Sequence, residues 1–230
     1  MFQYLLRNLT PVVKNLIIIN ALFYLAQFLI DGFTEQFALY YFESDNFEFY
    51  QIATHFFMHA PNSFLHILFN MFALVMFGPP LERIWSPQKF LLFYFISAFG
   101  ALFLHQAVMY FQVQDLKELL AIYEEGSMEY YQTLRSIKTT EFTPMLGASG
   151  AIFGVLAAFA FYFPNTELML LFPPIPIKAK WMVLILVGFD FFMGIGNYSG
   201  DNVAHFAHLG GALFGFILVL IWQRNKSDFY

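Results

Sequence analysis

Six apolar runs, near residues 12–30, 64–80, 90–111, 149–163, 181–195 and 203–222, dominate this 230-residue chain. A bilayer hydrocarbon core of roughly 30 Å is crossed by about 20 apolar residues in helical form. No water is available there to bond the backbone, so only helices or closed barrels cross. The runs lack the period-two alternation of barrel strands. They predict an all-α membrane protein, a six-transmembrane-helix bundle in a single domain over residues 1–230. Composition agrees. The chain is 59% hydrophobic and only 12% charged, against about 25% charged in a soluble domain. A net charge of -5 with no basic run argues against a nucleic-acid partner. The chain has no cysteine, which excludes disulfides and thiolate metal sites. The first run, with no small-residue cleavage site after it, reads as a retained span rather than a signal peptide.

An even number of spans puts both ends on one side. Basic residues favour the cytoplasmic side. With both ends inside, the inner segments hold eight (Arg7, Lys14, Arg83, Lys89, Lys178, Lys180, Arg224 and Lys226), and the outer segments hold three (Lys117, Arg135 and Lys138). This predicts cytoplasmic termini, as in a bacterial inner membrane.

The connections differ in character. The outer segment 31–62 is rich in aromatics and carries five acids with no Lys or Arg. It reads either as an interfacial element or as an ordinary amphipathic loop. Segment 112–145 is polar and helix-forming, which predicts a solvated outer hairpin with no chemistry of its own. Segment 164–180 holds Pro164, Pro173, Pro174 and Pro176 and reads as a stiff inner connector. The fourth run is short. Its 15 residues, 149–163, make roughly 22 Å of helix. Anchored at the inner surface, it leaves Ser149 at the floor of a cavity open to the outside, where water is available.

Ser149 lies in the stretch Gly147-Ala-Ser-Gly-Ala-Ile-Phe-Gly154, and His208 lies in Ala207-His-Leu-Gly-Gly211. Ionisable groups inside a membrane mark function by default. A serine with a histidine suggests a nucleophile and its base. At a helix start, Ser149 is surrounded by unpaired N–H groups that favour a developing oxyanion. A lone serine there is otherwise a cap or a packing residue. Gly150-x-x-x-Gly154 and Gly211-x-x-x-Gly215 permit close helix approach. Such an approach would bring His208 within reach of Ser149. Phe153, four residues after Ser149, shares its face and either packs on the imidazole or fills core. His66 and Asn70 share a helix face. They either donate to an oxyanion or hold helices together.

The remaining polar groups are weighed against these. His55-x-x-x-His59 has metal-like spacing but lacks the glutamate of a zinc-protease helix, so no metal is expected. His205 reads as snorkelling towards the loop, and His105 as facing the bundle interior. Asp190, inside the fifth run, and Asp201, in a short loop, are the candidate acids. Spacing places neither beside the histidine, so the residues point to a Ser149–His208 dyad. No run holds a central lysine for a Ser-Lys dyad, and one embedded aspartate is too few for an aspartyl protease.

Taken together, HILFN at 66–70, GASGAIFG at 147–154 and AHLGG at 207–211 resemble the rhomboid family of intramembrane serine proteases, in order and on spans two, four and six. The resemblance covers roughly residues 10–225. It implies Ser149 as nucleophile, His208 as base, and His66, Asn70 and the Ser149 backbone N–H as oxyanion donors. Gly147, Gly150, Gly211 and Phe153 would be supporting positions. It also implies transmembrane-helix substrates, cut near small residues at helix-destabilising sites, and no cofactor. The first outer loop would lie partly in the membrane. Span 181–195 and loop 196–204 would gate the substrate's approach, with Phe189, Phe191, Phe192 and Met193 as bulky gate residues. Phe153 stands where some members have tyrosine. The stretch 58–66 and the segment 112–145 are longer than the family pattern. The alternative is a catalytically silent rhomboid-like protein that binds and escorts membrane helices. A transporter is disfavoured by having essentially one embedded charge, Asp190.

Overall fold

The computed structural model describes residues 8–169, 174–196 and 204–227. Asp201, Pro173, Arg7 and most of the expected gate loop therefore lie outside the described residues. In chain order the elements are α1 (Pro11–Leu29), α2 (Phe33–Phe37), α3 (Gln51–Thr54), a 3-10 turn (His55–Phe57), α4 (Phe64–Trp85) and α5 (Pro87–Ile122). Then follow α6 (Met128–Phe142), α7 (Ser149–Tyr162), β1 (Glu167–Met169), β2 (Pro176–Lys178), α8 (Ala179–Gly196) and α9 (His205–Ser227). Five of these helices (α1, α4, α5, α8 and α9) are long and apolar enough to cross a membrane. Their outer faces carry exposed Leu, Ile and Phe side chains such as Leu22, Phe103, Leu184 and Ile221, as lipid contact requires.

The sixth expected span, α7, has 14 residues, or about 21 Å of helix. It is apolar all round and buried from Gly150 through Phe159 apart from Phe153. A helix of that kind belongs in the middle of a bundle. α7 accordingly packs against α4, α5, α8 and α9. At its lower end Trp85, Tyr162 and Trp222 meet edge to face, and Lys89 lies 4.3 Å from the Trp222 ring centre.

The start of α1 is capped from another helix. Pro11 opens it, as suits a position whose N–H needs no partner. The orphan donors Val12 N–H and Val13 N–H reach the Glu82 carboxylate at 3.0 and 3.1 Å, and the Thr10 hydroxyl also donates to it. Glu82 is almost fully buried, and its charge is met by these donors at the positive end of the α1 dipole.

The structure adds to three expectations. The helix that carries the third apolar run continues past residue 111. No Gly or Pro interrupts residues 101–122, so α5 runs unbroken for 36 residues, or about 54 Å. It forms a hairpin with α6, as segment 112–145 suggested, but that hairpin is not wholly solvated. Met109, Val113 and Ile137 close over the buried Tyr41 of the first outer segment. The described part of the connector 164–180 contains two short strands. β1 and β2 pair antiparallel, with Leu168 opposite Ile177, and Pro176 sits on a two-stranded ribbon where an absent N–H is tolerated.

The first outer segment is an ordered layer. Ala38, Leu39, Tyr40 and Tyr41 are buried. Leu39 exchanges backbone hydrogen bonds with Met145, at 2.9 and 2.7 Å. Gln106 on α5 donates to the Tyr40 carbonyl at 3.0 Å, and Gln27 on α1 donates to the His59 carbonyl at 2.7 Å. These bonds fasten the strand-like lead into α7, and so fix where Ser149 begins.

Candidate active site

Gly147 makes the approach to Ser149 possible. Its φ is +128°, a region that L side chains rarely adopt. Its N–H donates to the His55 carbonyl at 3.0 Å. A Cβ there would stand 3.0 Å from His66 Nε2 and 3.6 Å from Ser149 Oγ. The missing side chain lets the His66 ring and the serine flank one small space. Burial pushes the His55 imidazole beneath this turn down to about 4, so it stays neutral, and its Nδ1 bonds the Gln51 carbonyl at 2.8 Å.

Ser149 is the first residue of α7 and remains partly accessible. The N–H groups of the first turn have no intrahelical acceptor and carry the positive end of the helix dipole. A cavity with room for about one water molecule lies beside the serine, lined by Gly147, Gly150, Ala98, Ala101 and Ala207.

His208 reaches Ser149 because α7 and α9 touch through glycine. A Cβ on Gly211 would fall 1.8 Å from the Gly150 carbonyl oxygen, and one on Gly215 would fall 2.8 Å from Gly154 Cα. Across this contact the Ser149 hydroxyl meets His208 Nε2 at 2.9 Å. The imidazole lies flat on the Phe153 ring, with centroids 4.3 Å apart and planes 7° apart.

His66 and Asn70 occupy one face of α4. The Ala60 N–H donates to His66 Nδ1 at 3.2 Å. A neutral imidazole bonded in this way carries its proton on Nε2, the nitrogen nearest Gly147. Asn70 is buried, and its side-chain nitrogen has no acceptor among the described residues. A buried amide donor left unbonded costs about 1–3 kcal/mol. An acceptor placed against this amide would offset that cost.

The structure thus gathers Ser149, His208, Phe153, Gly147, Gly150, Gly211 and His66 at one end of α7, with Asn70 one turn along α4 from His66. His205 does not snorkel to the loop. It is buried, and its Nδ1 bonds Asp190 Oδ1. The same oxygen lies 3.0 Å from His208 Nδ1. Sequence reasoning left Asp190 unplaced. The usable signal was that an aspartate in an apolar span needs a donor, and the next span opens with histidines at positions i and i+3. Ligand atoms of Asp190, His205 and His208 lie within 4.8 Å of one another, close enough to share a cation. Their mutual hydrogen bonds account for the cluster without one. Of the expected gate residues on α8, Phe189, Phe191 and Phe192 are exposed and Met193 is half-buried.

A Rhomboid domain matches residues 46–225. This chain belongs to the rhomboid family. Similar rhomboids include the RHOMBOID-like protein 12, mitochondrial, of Arabidopsis thaliana, 30% identical over 168 residues, covering 70% of this chain and 43% of that protein. The Rhomboid protein 1, mitochondrial, of Saccharomyces cerevisiae is 30% identical over 165 residues, 71% of this chain and 39% of that one. The Rhomboid protease AarA of Providencia stuartii is 26% identical over 164 residues, 68% of this chain and 50% of that one. This rhomboid therefore spans about two fifths of the length of the first two relatives. The family and the helices establish a multi-pass integral membrane protein. The mitochondrial names among the relatives do not favour the bacterial inner membrane expected from the basic residues.

Proposed function

We propose that this rhomboid is a serine endopeptidase that cleaves transmembrane segments of other membrane proteins through an acyl-enzyme on Ser149. The observation that carries the reading is the 2.9 Å contact of Ser149 Oγ with His208 Nε2; one turn along α4 from His66, the buried Asn70 amide has no acceptor among the described residues. A purely structural serine needs no base, and a purely structural asparagine would be expected to have its donors bonded.

The steps are those of acyl transfer by a serine and a histidine. Ser149 donates its proton to His208 Nε2 as Oγ attacks the scissile carbonyl carbon. The carbonyl oxygen becomes an oxyanion and accepts from the Ser149 backbone N–H, His66 Nε2–H and the Asn70 amide. Collapse breaks the C–N bond, and His208 returns the proton to the leaving amine. Water then attacks the ester by the reverse use of the same groups, and Ser149 is released. No cofactor or metal takes part. Substrates are helices presented from the bilayer, and the chain lies with its termini on the side richer in basic residues.

Asn70→Ala should lower the hydrolysis rate about 10²–10³-fold, the loss typical of one oxyanion donor, while the fold survives. Cleavage kinetics alongside thermal unfolding check this. The reading itself is tested by treating the full chain, in detergent, with a fluorophosphonate. Covalent modification on the Ser149 peptide is the expected result. A folded protein that stays inert to the probe would sink the protease reading in favour of a non-catalytic helix-binding protein.

A further inference from the structure

Resting on the protease reading, we propose that Asp190 is a positioning residue: bonded by both His205 and His208, its carboxylate holds the His208 ring with Nε2 turned to Ser149.

A neutral imidazole carries its proton on either nitrogen, and the partner of one nitrogen decides the other's role. His208 Nδ1 lies 3.0 Å from Asp190 Oδ1. A carboxylate only accepts, so Nδ1 is the donor. Nε2 is then left with a lone pair facing the serine hydroxyl at 2.9 Å. The opposite tautomer would put a proton between base and nucleophile. When His208 takes the serine proton, the adjacent carboxylate also stabilises the resulting imidazolium.

Asp190 is buried, at 5% exposure, in the middle of the apolar helix α8. An embedded carboxylate is costly without donors. Here two imidazoles donate to the same oxygen. His205 precedes His208 by three residues, so both reach Asp190 from one face of α9. His205 fixes the carboxylate from one side and His208 receives its direction from the other. Among the described residues the titratable neighbours of His208 are Asp190 on α8, His205 on its own helix, His66 on α4 and His105 on α5. Asp190 is the one anion among them.

A simple tie between α8 and α9 would use the same bonds, so the test must read chemistry as well as folding. The rate of fluorophosphonate labelling is measured against pH for the wild type, Asp190→Asn and His205→Leu, each as full chain in detergent, with thermal unfolding in parallel. Asp190→Asn should label about 10²–10⁴-fold more slowly, because its amide favours the wrong tautomer. The acidic limb of its profile should no longer coincide with that of the wild type, since the imidazolium loses its counter-charge. In His205→Leu the carboxylate loses one of its two donors, so labelling should slow and its profile should also depart from that of the wild type. This second variant keeps the question open to an answer even where Asp190→Asn does not fold.

Profiles that keep the wild-type limb in every variant that folds, with only the unfolding temperature lowered, would overturn the proposal and leave a structural tie. Loss of labelling on chelation, restored by zinc, would overturn it in favour of a metal held by the cluster. A wild type that never labels sinks the protease reading instead, so the two failures are distinguishable.

Discussion

Ser149→Ala should abolish peptide-bond hydrolysis by about 10⁶-fold, and His208→Ala by a similar factor, because nucleophile and base act as a unit. The double variant should lose little more than either single one. The same non-additivity would not arise if Ser149 were a helix cap. A cap lost to alanine costs typically about 1 kcal/mol of stability and leaves chemistry alone. Ser149 stands at the first position of α7, its hydroxyl directed to His208 rather than to a first-turn N–H. Its removal should therefore change the unfolding temperature little. Cleavage of a membrane-embedded reporter in liposomes, measured with thermal unfolding on the same preparations, separates the cases. Full activity in Ser149→Ala would refute the assignment of the nucleophile.

Gly211→Ala should disable the protein through one methyl group far smaller than most core changes. The added carbon would stand 1.8 Å from the Gly150 carbonyl oxygen and 2.6 Å from its carbon. Both are backbone atoms, so no rotamer change relieves the clash. The helices must separate by more than 1 Å to reach ordinary contact of about 3.3 Å. Overpacking of this kind costs about 1–3 kcal/mol or more. The separation acts directly on the site, since Gly150 adjoins Ser149 and Gly211 is one turn from His208. A misplacement of about 1 Å costs on the order of 10²-fold in rate. Gly188→Ala is the control, because a Cβ there meets nothing within 4 Å, and it should behave as wild type. Equal labelling of the two variants would mean that the glycine contact does not set the site.

Much of this was legible in the chain. The apolar runs located the helices because membrane burial leaves few alternatives to a continuous hydrogen-bonded segment. The GASG and HLGG motifs pointed to close helix contact, and the contact is made by those glycines. Phe153 was readable as a partner for the imidazole from its four-residue offset. The end of α5 was not readable from apolar length. Its last turns are polar but contain no helix breaker, so the helix continues past the apolar run. The pairing of His205 with Asp190 was missed for a different reason. Whether two side chains on neighbouring helices meet depends on depth and rotation, and periodicity within one helix reports neither. Glu82 was invisible in the same way. Its partners are backbone donors some 70 residues away, which no local pattern announces.

The unbroken length of α5 has a practical consequence. Roughly 30 Å of its about 54 Å suffices for the hydrocarbon core, so its outer end stands as a mast, braced by α6 and by the Lys117–Glu43 ion pair. At the top is the exposed turn 124–126, where Gly126 has a φ of +96° and open space around it. Exposed turns of this kind accept insertions. A fluorophore or epitope placed there would ride on a rigid support well clear of lipid, and would give a fixed reference point for measuring how a captured helix moves.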